Sequence, residues 1–142
     1  MSRENLELVR TGIVAEGVDL VKLMRDGGFG EAADPALFDP DLSVAFMMPS
    51  GSPTEYRGFG GLVEGWRDWL APWASYEVQV EELVDAGDCV LANVVLRGET
   101  QRDAVQVEEQ AAAVIRVAGG KITRIEFHLD RREARAAAGL PG

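Results

Sequence analysis

The chain has 142 residues, 46% of them hydrophobic, which suits one domain spanning 1–142 with a core of its own. Its 14 basic and 24 acidic residues give a net charge of −10 at pH 7, which disfavours phosphate-backbone contacts with nucleic acid and repels anionic membrane surfaces. The lone cysteine excludes an internal disulfide, no apolar run approaches the ~20 residues that span a bilayer, and the start of the chain lacks a signal-peptide pattern, so the cytoplasm is the expected compartment.

Ser2 is a good N-cap, and Leu6, Val9, Ile13 and Val14, then Leu20, Val21 and Met24, keep helical spacing. Gly12 and Gly17 interrupt it, so the region predicts two helices or one broken helix, ended by Gly27-Gly28-Phe29-Gly30. Glu31 to Pro40 is irregular or a short helix, and Leu42 to Met48 is a strand-length apolar run stopped by the loop Pro49-Ser50-Gly51-Ser52-Pro53. Gly58-Phe59-Gly60-Gly61 opens a helix whose Leu62, Trp66, Trp69, Leu70 and Trp73 make one face, with Pro72 limiting its length.

Strands follow. Tyr76 to Glu81 alternates with period two, Ala86-Gly87-Asp88 is a turn, and Cys89 to Leu96 is apolar and β-rich. After a polar turn at Gly98 to Asp103, Ala104 to Val117 and Ile122 to Leu129 are strands joined by a tight hairpin at Ala118-Gly119-Gly120-Lys121. Asp130, with Glu133 three residues on, caps a last helix from Arg131 to Ala138 that Gly139 ends. A run of strands between helices favours α+β with an antiparallel sheet over alternating α/β.

This order, with certain short words, resembles the SnoaL-like branch of the nuclear-transport-factor-2-like superfamily. The words are Ser2 to Arg10, Asp39-Pro40-Asp41, Tyr56-Arg57-Gly58, Ala86-Gly87-Asp88, Gly119-Gly120-Lys121-Ile122 and Phe127-His128-Leu129-Asp130-Arg131-Arg132-Glu133-Ala134. The likeness covers nearly the whole chain, with Glu16 to Pro40 longer than expected. It implies a cone-shaped α+β barrel: a curved antiparallel sheet wrapped by the N-terminal helices. It also implies an internal pocket and, commonly, a homodimer through the outer sheet face. Members include ketosteroid isomerases, polyketide cyclases, limonene epoxide hydrolases and dehydratases, so fold alone does not choose the function.

Strand alternation sorts the candidate residues. On the last strand Ile125, Phe127 and Leu129 suit the inside, while Arg124, Glu126 and His128 suit the outside. On the strand from Cys89, Val90, Ala92, Val94 and Leu96 are assigned inward. The resemblance implies a catalytic Asp of some hydrolases and cyclases where this chain has Phe127, and an inward Arg and Asp of the epoxide hydrolases where it has Val94 and Leu96, which argues against epoxide hydrolysis by the family mechanism. Counting back from the hairpin pairs Val117 with Ile122 and Val114 with Ile125, which turns Val114, Ala112, Gln110 and Glu108 to the pocket. Glu108 is then the candidate base, with Tyr56 or Gln110 steadying an enolate oxygen; Glu108 reads equally as a solvated rim residue beside Glu109.

Phe46, Met48, Trp66 and Trp69 complete the expected ligand-facing set with Tyr56, Val94, Leu96, Gln110, Phe127 and Leu129, although a tryptophan stripe at helical spacing is also ordinary core. His128, the single histidine, is either a proton shuttle or a polar residue of the outer face, and Cys89 in its apolar run reads as a small buried hydrophobe. One His and one Cys do not make a zinc-type site, and no metal or other cofactor is expected. Gly58-Phe59-Gly60-Gly61 lacks the third glycine of a dinucleotide fingerprint, and no Gly-x-Ser-x-Gly elbow occurs. Three functions remain open: a binder of a hydrophobic small molecule, an isomerase or cyclase abstracting a proton beside a carbonyl, and a dimeric interaction module.

Overall fold

The computed structural model describes residues 2–12, 18–26, 35–47 and 54–141. Strands β1 (Phe38–Met47), β2 (Thr54–Arg57), β3 (Trp73–Asp85), β4 (Cys89–Thr100), β5 (Gln106–Ala118) and β6 (Lys121–His128) form one sheet. Helices α1 (Ser2–Gly12), α2 (Leu20–Arg25), α3 (Gly58–Leu70) and α4 (Arg131–Ala137) pack around it. The strand order is β2-β1-β6-β5-β4-β3. The sheet is curved and unclosed, with β2 and β3 as its edges.

Local chemistry accounts for the boundaries. Asp19 caps α2, its Oδ1 accepting from the Val21 N–H at 3.0 Å and from the Tyr76 N–H at 3.1 Å, so one carboxylate ties the helix start to β3. Asp130 caps α4 by accepting from the Arg132 N–H at 2.8 Å. Gly139, at φ +79°, ends that helix: its N–H donates to the Ala136 carbonyl, and the Leu140 N–H reaches back to Arg135. These paired bonds are a Schellman ending, which favours glycine because the left-handed backbone penalises a Cβ.

Three departures from the sequence expectation matter. Tyr56 and Arg57 belong to a short strand, β2, paired antiparallel with β1 from Ser43 to Phe46; four residues with no apolar alternation leave no strand signal. Trp73 begins β3 rather than extending the α3 stripe, because α3 stops at Leu70 ahead of Pro72. The sheet is also not wholly antiparallel, since β1 and β6 run parallel with Phe46 opposite Phe127.

The two faces of the sheet bury different things. On the concave face Phe38, Leu42, Val44, Phe46, Val90, Ala92, Val94, Ala111, Ala113, Ile115, Ile122 and Ile125 form the main core, with Val9 of α1 and Leu62 of α3 laid on it. On the outer face Ala134 and Ala138 at the C-terminal helix pack on Cys89, Leu91, Ala112 and Val114. Small alanines let α4 lie close to the strands. Arg131 fastens its start, donating to the Val94 and Ala111 carbonyls at 2.7 and 3.0 Å and pairing with Glu81.

Candidate ligand-binding site

Helix α3 lies against β1 and β2 with almost no clearance. A Cβ on Gly65 would stand 2.7 Å from the Phe46 ring and 3.0 Å from the Tyr56 ring, so only glycine permits this approach. Trp66 and Trp69 of the same helix then meet Phe46 at 5.8 Å edge-on and 5.9 Å stacked. Phe127 stacks on Phe46 at 4.8 Å and meets Trp66 edge-on at 5.1 Å. The cross-strand pairing of Phe46 with Phe127 sets this geometry. Four of the residues singled out from sequence thus form a single aromatic cluster, and Val94, Leu96 and Leu129 pack on the same concave core. Met48 lies outside the described residues. Tyr56 joins the cluster by its ring, 5.8 Å from Phe46, but its hydroxyl turns to the exposed side of α3 and donates to Asp68 at 2.8 Å.

The expected pocket-side placement of Glu108 and Gln110 is corrected by the strand register. The hairpin does pair Val117 with Ile122, through Gly119 and Gly120 in left-handed backbone. The next pair, however, is Arg116 with Arg124, which leaves Thr123 as an extra residue, a β-bulge. From there Ile115, and not Val114, stands opposite Ile125. A one-residue slip exchanges the two faces of a strand. Ala111, Ala113 and Ile115 therefore join the concave core, while Gln110 and Glu108 share the outer face with Ala112 and Val114. Glu108 there accepts from the Arg97 guanidinium at 2.8 Å, and Arg97 also donates to Gln79.

The same register turns Glu109 inward, opposite Leu96. The signal was present in the sequence. Ile125, Phe127 and Leu129 keep period two, whereas Ile122 falls out of phase with them by one residue.

Tyr76, which sequence reasoning missed as a site residue, is 2% exposed beneath α2 and α3. Its ring meets Trp73 at 5.0 Å and Trp66 at 6.3 Å. Trp73 in turn lies over Gly98, where a Cβ would stand 2.7 Å from its ring. Burial pushes the Tyr76 hydroxyl up to about 12; the Trp69 indole N–H donates to it and partly opposes this, while the Glu109 charge adds to the rise. Tyr76 and Glu109 thus both belong to this end of the concave face.

The outer face carries its own polar cluster. His128 is only 4% exposed, with Nε2 3.1 Å from Glu126, and Glu126 accepts from the Arg124 guanidinium at 2.8 Å. Burial alone would raise the Glu126 carboxyl; the hydrogen bonds from Arg124 and His128 outweigh it and hold the group below the usual carboxylate range. His128 is therefore on the outer face as its strand position predicts, but enclosed rather than solvated. With α4 over Cys89, Leu91, Ala112 and Val114, the outer surface left uncovered carries Gln79, Arg97, Glu108 and Gln110. Cys89 is fully buried and its thiol is pushed up by that burial, which suits packing rather than nucleophilic attack. Among the described residues no group of three or more His, Cys, Asp or Glu side chains converges on a point, and no helix is long and apolar enough to cross a membrane.

A family model described as a SnoaL-like domain matches residues 20–125. The chain belongs to this SnoaL-like family. Solved structures share its fold. An NTF2-like protein of unknown function from Burkholderia pseudomallei K96243 aligns with a TM-score of 0.66 and 15% identity, over 94% of this chain and 95% of that one. TerC, co-crystallised with polyporic acid, aligns at 0.66 and 16% identity over 96% and 98% of the two chains. A candidate SnoaL-like polyketide cyclase from Jannaschia sp. CCS1 aligns at 0.65 and 16% identity over 99% and 95%. At these identities the likeness concerns the fold. No curated protein matches the chain.

Proposed function

We propose that this SnoaL-like chain binds a hydrophobic, ring-bearing small molecule on its concave surface, around Trp66, Trp69, Leu96, Phe127 and Leu129. One observation carries the reading. Trp66, Trp69, Leu96, Phe127 and Leu129 pack on the core and each stays partly exposed, so aromatic and aliphatic surface on the inside of the curved sheet meets water. Apolar surface of this kind in a single chain is a binding feature more often than an accident. The fold likeness to TerC, solved with polyporic acid, is in keeping with it.

The isomerase or cyclase reading loses its assigned base, because Glu108 pairs with Arg97 on the opposite face. Proton abstraction inside the sheet would fall instead to Glu109.

The test is a calorimetric titration with a panel of uncharged two- and three-ring aromatic compounds, followed by the variant Phe127→Asp. Saturable binding that this variant abolishes, with Leu129→Asn as a milder second variant at the same surface, supports the proposal. A panel of which no member binds the wild-type chain would overturn it.

A further inference from the structure

Each charged side chain of β4, β5 and β6 can be assigned to a face from the register. Arg97, Glu99, Glu108, Arg116, Lys121, Arg124 and Glu126 fall on the outer side. Among the described residues of these three strands, only Glu109 shares the concave face with Val94, Leu96, Ala111 and Phe127. It stands where β5 runs past the end of β6, whose last pair is His128 with Ala112. Glu81, Glu108 and Glu126 each have an arginine partner; Glu109 forms no ion pair among the described residues. Its charge is felt at Tyr76, whose ring adjoins Trp66 and Trp73.

Among the described residues, a carboxylate with no ion pair stands opposite Leu96, which packs on the same cluster as Trp66 and Trp69, and that pairing has a narrow chemical preference. Ring faces attract cations through their quadrupole, tryptophan most strongly, and quaternary ammonium groups are bound by aromatic walls in this way. A carboxylate adds a point charge of the same sense. The whole chain, at −10, also draws cations toward it and repels anions.

We propose that the ligand of the concave surface carries an alkylammonium group, seated beside Glu109 and against the partly exposed Trp66 and Trp69 rings, with its apolar body on Phe127 and Leu96. This deepens the proposed function and rests on it. Leu96 stands directly opposite Glu109 across β4 and β5, so one ligand spans the charge and the apolar wall. A methyl-bearing ammonium group leaves water at lower cost than a primary one, and the ring faces receive its methyl groups.

The test compares two compounds of one shape: (naphthylmethyl)trimethylammonium and neopentylnaphthalene, which differ only in nitrogen against carbon. Naphthylacetate serves as the anionic counterpart. Titration calorimetry is run at 0.15 M salt, where non-specific attraction to the acidic surface is screened beyond about 8 Å. The expected result is a preference of about tenfold or more for the ammonium compound. Glu109→Gln should remove most of that preference, weakening the ammonium compound far more than neopentylnaphthalene. Glu108→Gln, on the outer face, should change neither. Equal binding of the two isosteres, or tighter binding of naphthylacetate, would overturn the ammonium proposal and leave the apolar-ligand reading standing. A preference that survives in Glu109→Gln and vanishes in Glu108→Gln would also overturn it. Absence of binding by all three compounds would overturn both.

Discussion

Two glycines of α3 make a matched pair. Gly60 is exposed with nothing within 4 Å of a notional Cβ, whereas at Gly65 a Cβ would stand 2.7 Å from Phe46 Cε1 and 3.0 and 3.1 Å from the Tyr56 ring. In a helix, Gly→Ala gains roughly 0.4–1 kcal/mol, chiefly by restricting the unfolded chain. Gly60→Ala should show that gain. At Gly65 the same gain meets a contact at least 0.7 Å shorter than the 3.4 Å lower bound of ordinary packing. Phe46 has little freedom to yield, being 5% exposed and stacked between Phe127 and Trp69. Overpacking of this kind costs about 1–3 kcal/mol, so Gly65→Ala should lie about 1–3 kcal/mol below Gly60→Ala. For a chain of this length each kcal/mol moves Tm by roughly 3–5 °C. Urea unfolding followed by tryptophan fluorescence and by far-ultraviolet dichroism reads the difference directly. Equal stabilisation by both substitutions would refute the close seating of α3 on β1 and β2, and with it the aromatic cluster.

Glu126, held below the ordinary carboxylate range, contributes stability above its unfolded pKa of about 4.3 that is lost as pH falls through its lower folded value; Glu126→Gln should flatten the acid limb of the stability curve, measured by urea midpoints from pH 5 downward. Tyr76 has the opposite sign: its folded pKa of about 12 means that stability is full below about 10 and drains as pH rises toward 12. Tyr76→Phe should remove that alkaline loss, and absorbance at the tyrosinate band should show both native tyrosines titrating above the ordinary value, Tyr76 the higher at about 12, because Tyr56 is raised as well. Arg131→Ala deletes donors to the Val94 and Ala111 carbonyls and the pair with Glu81, and should cost about 1–3 kcal/mol in urea unfolding; Arg131→Lys should recover only part, since an ammonium lacks the planar fork that reaches both carbonyls.

Much of the concave surface was legible in the linear chain. Phe127 was assignable because Ile125, Phe127 and Leu129 alternate with polar residues, and Phe46, Val94 and Leu96 followed from counting by twos along apolar strands. The stripe of Leu62, Trp66 and Trp69 followed from helical spacing, and the family resemblance rested on words set along the whole chain. Residues 111–115 gave no such signal: Ala111-Ala112-Ala113-Val114-Ile115 is apolar on both sides, because α4 buries one side and the main core the other. With no alternation to read, the face of Glu108 and Glu109 hung on counting residues through a hairpin, and a bulge at Thr123 shifted the count by one.

The sequence by itself determined most of the helices and strands, apart from β2 and the start of β3, and the caps and turns that stop them. Those properties depend on neighbours within a few residues, on φ preferences, capping groups and periodicity. Only the tertiary structure decided which carboxylate faces inward, that Tyr56 spends its hydroxyl on Asp68, and that Tyr76 and His128 are enclosed. Each of these turns on a contact between segments far apart in the chain. There a single extra residue in one strand changes the chemistry of both faces of the next.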